Sequence, residues 1–483
     1  MSSSTARTAT LPRHPFTCHR EDSDMIHADP VHALASAASS IAAADVPPDA
    51  IAFQRLRLLD HLACVAAGYD AAGVPQAITF AQRYSGCREA SVLGSDLRLA
   101  AGQAAFVNAV RARALDYCDV VSPGWHPGSS DLPVAFAMAE LTGASGREML
   151  AALAVGQDIG LRINRAAQAN GFFYRGFDSN VLGLFSGAVI AARLLRLPAE
   201  RYVDALGLAF DFGIGTFQHY QDKVLAVRFG QGFVARHAIE AVMLAQAGVT
   251  GPRRILAGEN GFFNLYAPGE PDLSLLDADL GIRFLGRGET CFKAYPHCSI
   301  LLALTETLLA AREAVLRLPL DACTIRIEAS PTMRMVCGAP YAPSATAQID
   351  AQFSARYVAA NALLRGRATP REFDADAARD AAVVALAQRI ELVERPDFER
   401  FDQCRVIVAG PHGAPFTVDA AYGKGWPEHP LEAAELLDKF RTCCTQSACA
   451  GFRKGQREIA AAVDVLAHAP SVDALVRAMA CGE

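Results

Sequence analysis

The chain has 483 residues, of which 52% are hydrophobic and 20% charged. This composition supports large buried cores and excludes general disorder, and the length calls for more than one core, since single cores stop growing near ~300 residues. The formal charge of -6, with no long Lys/Arg block, excludes the electrostatic footprint of a nucleic-acid binder.

Met1–Asp24 is rich in Ser, Thr and Arg and lacks the apolar stretch of a secretory signal, so residues 1–25 read as a disordered tail or as a start placed upstream of Met25. From Ile26 to about Thr290, segments such as DAIAFQRLRLLDHLACVAAG and SGREMLAALAVGQDIGLRINRAA carry apolar residues at i, i+3, i+4 and i+7, which predicts a packed helical domain over 26–290. The texture then changes. A helix at SILLALTETLLAAREAV is followed by the alternating run CTIRIEAS, a helix at DAQFSARYVAANALL, and strand-like IELVERPD and QCRVIVAG, so 291–426 reads as a smaller α+β unit. Helical spacing returns in LEAAELLDKFRTCC and SVDALVRAMA, and 427–483 is expected to rejoin the first domain. The fold class is therefore mainly α.

The apolar runs break before the ~20 residues a bilayer span requires. The 13 cysteines contain no C-x-x-C pair and read as reduced, mostly buried thiols. A soluble, cytoplasmic protein is expected, with no zinc or iron–sulfur cluster and no partnership with membrane or nucleic acid.

Three stretches carry candidate chemistry. In ALDYCDVVSPGWHPGSSDLP, helical spacing ends near Tyr117 and resumes near Asp131, which suits an N-cap. Between them His126 is held in an irregular loop, where catalytic groups concentrate, and Asp116 is placed to orient it and stabilise its imidazolium form. The second stretch, CFKAYPHCSI, packs Lys293, His297 and Cys298 at the inferred domain junction, a favoured position for a small-molecule cleft. The third, HYQDKVLAVRFGQGFVARHAIEA, offers His219, Lys223, Arg228, Arg236 and His237. Arg228 is a candidate carboxylate clamp, whereas Arg236 and His237 read as exposed or packed helix positions.

LDYCD followed by HPGSSDLP, then GLFSGAVIAARLLRLPAERYVDALGLA, GFVARHAIEAVMLAQAGVTGP, GFF, CFKAYPHC and AQFSARYVAANALLRG occur in the order seen in the MmgE/PrpD family. Over Ile26–Phe440 the chain resembles that family, which includes 2-methylcitrate dehydratase, cis-aconitate decarboxylase and an iminodisuccinate epimerase. The resemblance implies a large helical domain built from both chain ends, an inserted α+β lid, a homodimer, and an active site in the cleft between domains without metal or organic cofactor. Asp116 and His126 match the family's Asp and the His of its His-Pro motif, and Lys293 matches the lysine of F-K-x-x-P. Other positions depart. Val120 stands where decarboxylase-like members have Thr, and Phe177, or Asp178 if the loop slips by one, stands where a second His is common. Val227 replaces a frequent Lys, with Arg228 beside it, and Cys298 falls where His is common, with His297 adjacent.

The leading expectation is a cofactor-free lyase of dehydratase type, acting on a small hydroxy- or unsaturated carboxylic acid less charged than cis-aconitate. Asp116, His126 and Lys293 would be catalytic, and Arg228, His297, Cys298, Phe177 and Val227 would contact the substrate. An isomerase or epimerase sharing the proton-abstraction step is an alternative. A non-catalytic carboxylate-binding protein is another.

Overall fold

Helical periodicity with small residues at the contact positions sets the architecture of this computed structural model, which describes residues 29–168, 175–211, 213 and 215–480. The tail expected at 1–25 lies outside these residues. The fold is mainly α. One core gathers the helices Pro48–Ala67, Ala101–Arg113, Asp131–Thr142, Gly146–Gln168, Leu182–Leu194, Ala199–Asp211 and Ala226–Gln246. Alanines buried along Ala101–Arg113 let Ala226–Gln246 lie close against it. Gly232 marks the tightest approach, because a Cβ there would stand 2.7 Å from the Phe106 ring. The C-terminal helices Ala433–Gln446, Ala450–Val465 and Asp473–Met479 contribute Phe440, Cys443, Phe452, Ile459 and Met479 to the same core.

A second core is built on a four-stranded sheet in the order Glu391–Glu394, Thr324–Ala329, Cys404–Ala409, Phe416–Ala420. The first pair is parallel and the other two are antiparallel. Alternation fixes the register: Ile325 faces Val408, Ile327 faces Val406 and Ala329 faces Cys404, all buried on one side. The helices Leu302–Val315 and Ala355–Arg365 pack together with this face. The edge strand Phe416–Ala420 is not among the strand runs read from the sequence.

What matters for the site is a two-residue strand pair between the regions. Val120 pairs with Cys291 and Val121 with Thr290, antiparallel, which lays the loop after Asp116 alongside the segment leading to Lys293. Among the described residues no helix is long and apolar enough to cross a membrane. Of the described cysteines, all but Cys87 are buried.

Candidate active site

The helix Ala101–Arg113 stops short of the Tyr117 boundary read from the sequence, because Asp116 takes φ 49°, a left-handed conformation incompatible with continuing the helix. The loop that follows is clamped from beneath. Asp119 accepts the Gly128 backbone N–H at 2.5 Å and the Arg57 guanidinium at 3.0 Å, while His61 Nδ1 meets the Gly128 carbonyl at 2.8 Å. Only glycine fits at 128, since a Cβ would fall 2.5 Å from the Asp119 carboxylate. Asp131 is the first residue of its helix and does not cap it, contrary to the N-cap expectation. Its carboxylate instead accepts from Ser186 at 2.6 Å and pairs with Arg57 at 3.5 Å. Lys439, from the C-terminal helices, donates to Asp60 at 2.6 Å and to the backbone carbonyls of Tyr117 and Lys293 at 2.8 and 2.9 Å, tying the two site segments together.

On this support Asp116, His126 and Lys293 converge. Lys293, fully buried, donates to the Asp116 carboxylate and to its backbone carbonyl, both at 2.8 Å. Arg113 pairs with the same carboxylate and reaches the Tyr220 hydroxyl at 3.3 Å. Burial alone would raise the Asp116 carboxyl, but Arg113, Lys293 and His126 outweigh it and hold Asp116 well below the usual range. His126 Nε2 lies 3.8 Å from Asp116, and Nδ1 lies 3.1 Å from the Asp119 carbonyl oxygen. That oxygen can only accept, so the neutral ring carries its proton on Nδ1 and leaves Nε2 bare. Burial, Arg113 and Lys293 push the His126 pKa far below its ordinary value. The result is a neutral imidazole with a free basic nitrogen, beside a carboxylate able to stabilise it once protonated. Two cations against one carboxylate leave a surplus positive charge.

These groups, together with Cys298 and Tyr220, line a cavity of about 30 Å³. Among the described residues, no three His, Cys, Asp or Glu side chains gather as a metal site.

Comparison with known proteins places the chain. Residues 32–274 match the model of the MmgE/PrpD N-terminal domain, and residues 295–467 match that of the MmgE/PrpD C-terminal domain. The chain belongs to the MmgE/PrpD family. It is similar to the cis-aconitate decarboxylase of Homo sapiens, 29% identical over 379 residues that cover 75% of this chain and 76% of that one. The Mus musculus cis-aconitate decarboxylase is 27% identical over 387 residues, 77% of each chain. That of Aspergillus terreus is 25% identical over 434 residues, 84% of this chain and 87% of its own.

Within this MmgE/PrpD chain, Cys298 lines the cavity, whereas His297, Arg228, Val227, Val120 and Phe177, also singled out from sequence, lie apart from it. His297 has both ring nitrogens engaged, Nδ1 with the Cys298 carbonyl at 3.0 Å and Nε2 with the Thr305 hydroxyl at 2.8 Å. Arg228 is buried and spends its donors on the Ala72 carbonyl at 2.7 Å and the Gln348 side-chain oxygen at 3.3 Å. Burial and Arg113 lower its pKa to about 10. Val227 packs into the sheet-side core, Val120 packs with Cys291, Leu302 and Trp426, and the Phe177 ring lies tilted against Tyr266 at 4.4 Å between ring centroids. None of these lines the cavity. Conversely, sequence reading passed over Arg113, Tyr220 and Asn180. Asn180 Oδ1 accepts the His126 backbone N–H at 3.0 Å, and its amide donates to the Tyr220 hydroxyl at 3.1 Å. The one local signal was the position of Arg113, three residues before Asp116 at a helix end.

Proposed function

We propose that this chain is a lyase acting on a small carboxylic acid, working by removal of a proton α to a carboxylate. The observation that carries this reading is the convergence of a neutral His126, Asp116, Lys293 and Arg113 in one buried cavity with a surplus positive charge. Such a surplus attracts a carboxylate and stabilises the enolate-like charge that grows as its α-proton leaves. His126 Nε2 takes that proton, and Asp116 stabilises the imidazolium. In the dehydratase form of the reaction, the electron pair forms the carbon–carbon double bond, β-hydroxide departs, and His126 returns its proton to the leaving oxygen, so that water and an unsaturated acid result.

Decarboxylation is the second reading, favoured by the names of the relatives. It needs the same charge stabilisation, but a carbon–carbon bond supplies the electrons, CO₂ leaves, and the carbanion left behind takes a proton at carbon, which His126 in its imidazolium form would deliver. A substrate less charged than cis-aconitate suits this cavity better. One surplus charge balances one carboxylate, and each further carboxylate buried without a partner costs several kcal/mol.

Proton NMR in D₂O on a panel of hydroxy, unsaturated and tricarboxylic acids, with CO₂ measured in parallel, tests the proposal. An alkene signal without CO₂ is the expected outcome for a hydroxy acid. Efficient release of CO₂ from cis-aconitate would establish the second reading instead. Deuterium exchange without an alkene would mean epimerisation, and binding without any change would mean a non-catalytic protein.

A further inference from the structure

The reacting cavity, about 30 Å³, holds a water-sized group and no more of an acid than that. Beside it lies a chamber of about 450 Å³, within the ~300–1,000 Å³ typical of small-molecule sites. Two hydrogen-bonded side chains, Asn180 and Tyr220, stand between them. Asn180 lines the chamber, accepts from His126 and donates to the hydroxyl of Tyr220, and Tyr220 lines the reacting cavity.

The chemistry of the chamber differs from that of the cavity. Val181, Leu184, Phe229 and Phe233 give it apolar walls, and among the described residues no Lys or Arg lines it. Its polar groups are Asn180, Asp178, Thr216, His219 and His237. Burial lowers both histidines, so neither offers a cation at neutral pH. His219 Nε2 is buried 3.4 Å from Asp178 and makes no hydrogen bond. A second carboxylate would find no counter-charge here and one acid to repel it, whereas an aliphatic or aromatic group would find surface to bury against.

We infer that this chamber receives the uncharged end of the substrate, an aliphatic or aromatic extension, while the carboxylate end meets Lys293 and Arg113. The inference rests on the carboxylic-acid lyase reading and adds the class of side chain that the acid carries. Tyr220 and Asn180 form the partition between the two spaces, so the inference requires these side chains to move aside for the acid to span both.

Gly230 supplies the test. It lines the chamber on the helix Ala226–Gln246, and a Cβ there meets nothing nearer than the Asp178 carboxylate at 3.9 Å. Gly230→Leu therefore grows into the chamber and improves helix propensity. Binding of butanoate, hexanoate and 3-phenylpropanoate to the full chain is measured by calorimetry. The expected result is an affinity that rises about fourfold per added methylene in the unmodified protein. In Gly230→Leu that length dependence is lost while the unfolding transition stays in place. Affinity independent of tail length, or length dependence that survives in Gly230→Leu, would overturn the assignment. So would a changed oligomeric state by light scattering with length dependence intact, which gives the chamber to a second copy of the chain. Because these saturated acids undergo no elimination, the outcome is separate from turnover. Should no acid react in the NMR assay while length dependence holds, the lyase reading fails and the chamber assignment stands.

Discussion

Two buried charge clusters lie on the same loop, and they are built with opposite balance. Beneath the loop, Arg57 serves both Asp119 and Asp131, one cation for two carboxylates. Above it, Arg113 and Lys293 serve Asp116 alone, two cations for one carboxylate. The consequences show in the acids themselves. Burial pushes Asp131 up to about 6 against the pull of Arg57 and Ser186, whereas Asp116 is held far down despite equal burial. The lower cluster fills its space and meets its acceptors from Ser186, Gly128 and Arg57, while the upper one borders a cavity. Buried charge by itself therefore does not mark a site. A surplus of one sign beside open volume does, and the sign names the ligand.

The comparison breaks most visibly at His126. His126→Ala removes the proposed base and leaves the pairs of Asp116 with Arg113 and Lys293, and the Arg57 cluster, in place. Turnover of the identified substrate should fall by about 10²–10⁴-fold with the unfolding transition little changed. A kcat within threefold of the unmodified protein would remove His126 from the chemistry and leave the upper cluster as a second structural one. Next in size is stability. Arg57→Met strands two buried carboxylates and should cost about 3–5 kcal/mol, read as a lower denaturant midpoint at unchanged slope. Arg113→Met leaves Asp116 paired with Lys293 and should cost clearly less. Equal losses would mean that the upper cluster is as much a part of the scaffold as the lower.

Which of these features sequence could show follows from how local their causes are. Helical spacing and the shift to alternating runs after Cys291 are local patterns, and they sufficed for a mainly α chain with a small sheet. Asp116, His126 and Lys293 were found through short motifs. Their meeting depends on the pairing of Val120–Val121 with Thr290–Cys291, which two-residue strands do not advertise. Asp131 looked like a cap because its partners, Arg57 and Ser186, are 74 and 55 residues away. Arg228 looked like a clamp because nothing local reveals that the Ala72 carbonyl takes its donor. Arg113 was passed over because a basic residue in the last turn of a helix has an ordinary reason to be there, the helix dipole. Only its pairing with Asp116, held in the left-handed region, shows otherwise.

The smallest effect expected is also the one most specific to charge balance. On the proposed reading His126 is the base, so activity requires its neutral form and falls as pH drops through its pKa in the folded protein. Burial first, then Arg113 and Lys293, lower that pKa well below 6.5, while Asp116 works against them. The acid limb of kcat/KM should therefore lie below pH 6.5, with no loss from this group between pH 8 and 6.5. Arg113→Met removes one of the two cations that repel a proton from the ring. It should move the acid limb upward, toward 6.5, even though the maximum rate falls as the substrate carboxylate loses a partner. The lower cluster provides the control, because Arg57 is not among the largest influences on His126. Arg57→Met, assayed cold where it stays folded, should leave the limb in place. A limb that moves equally in both variants would show that it reports a loosened fold and not the charge surplus of the site.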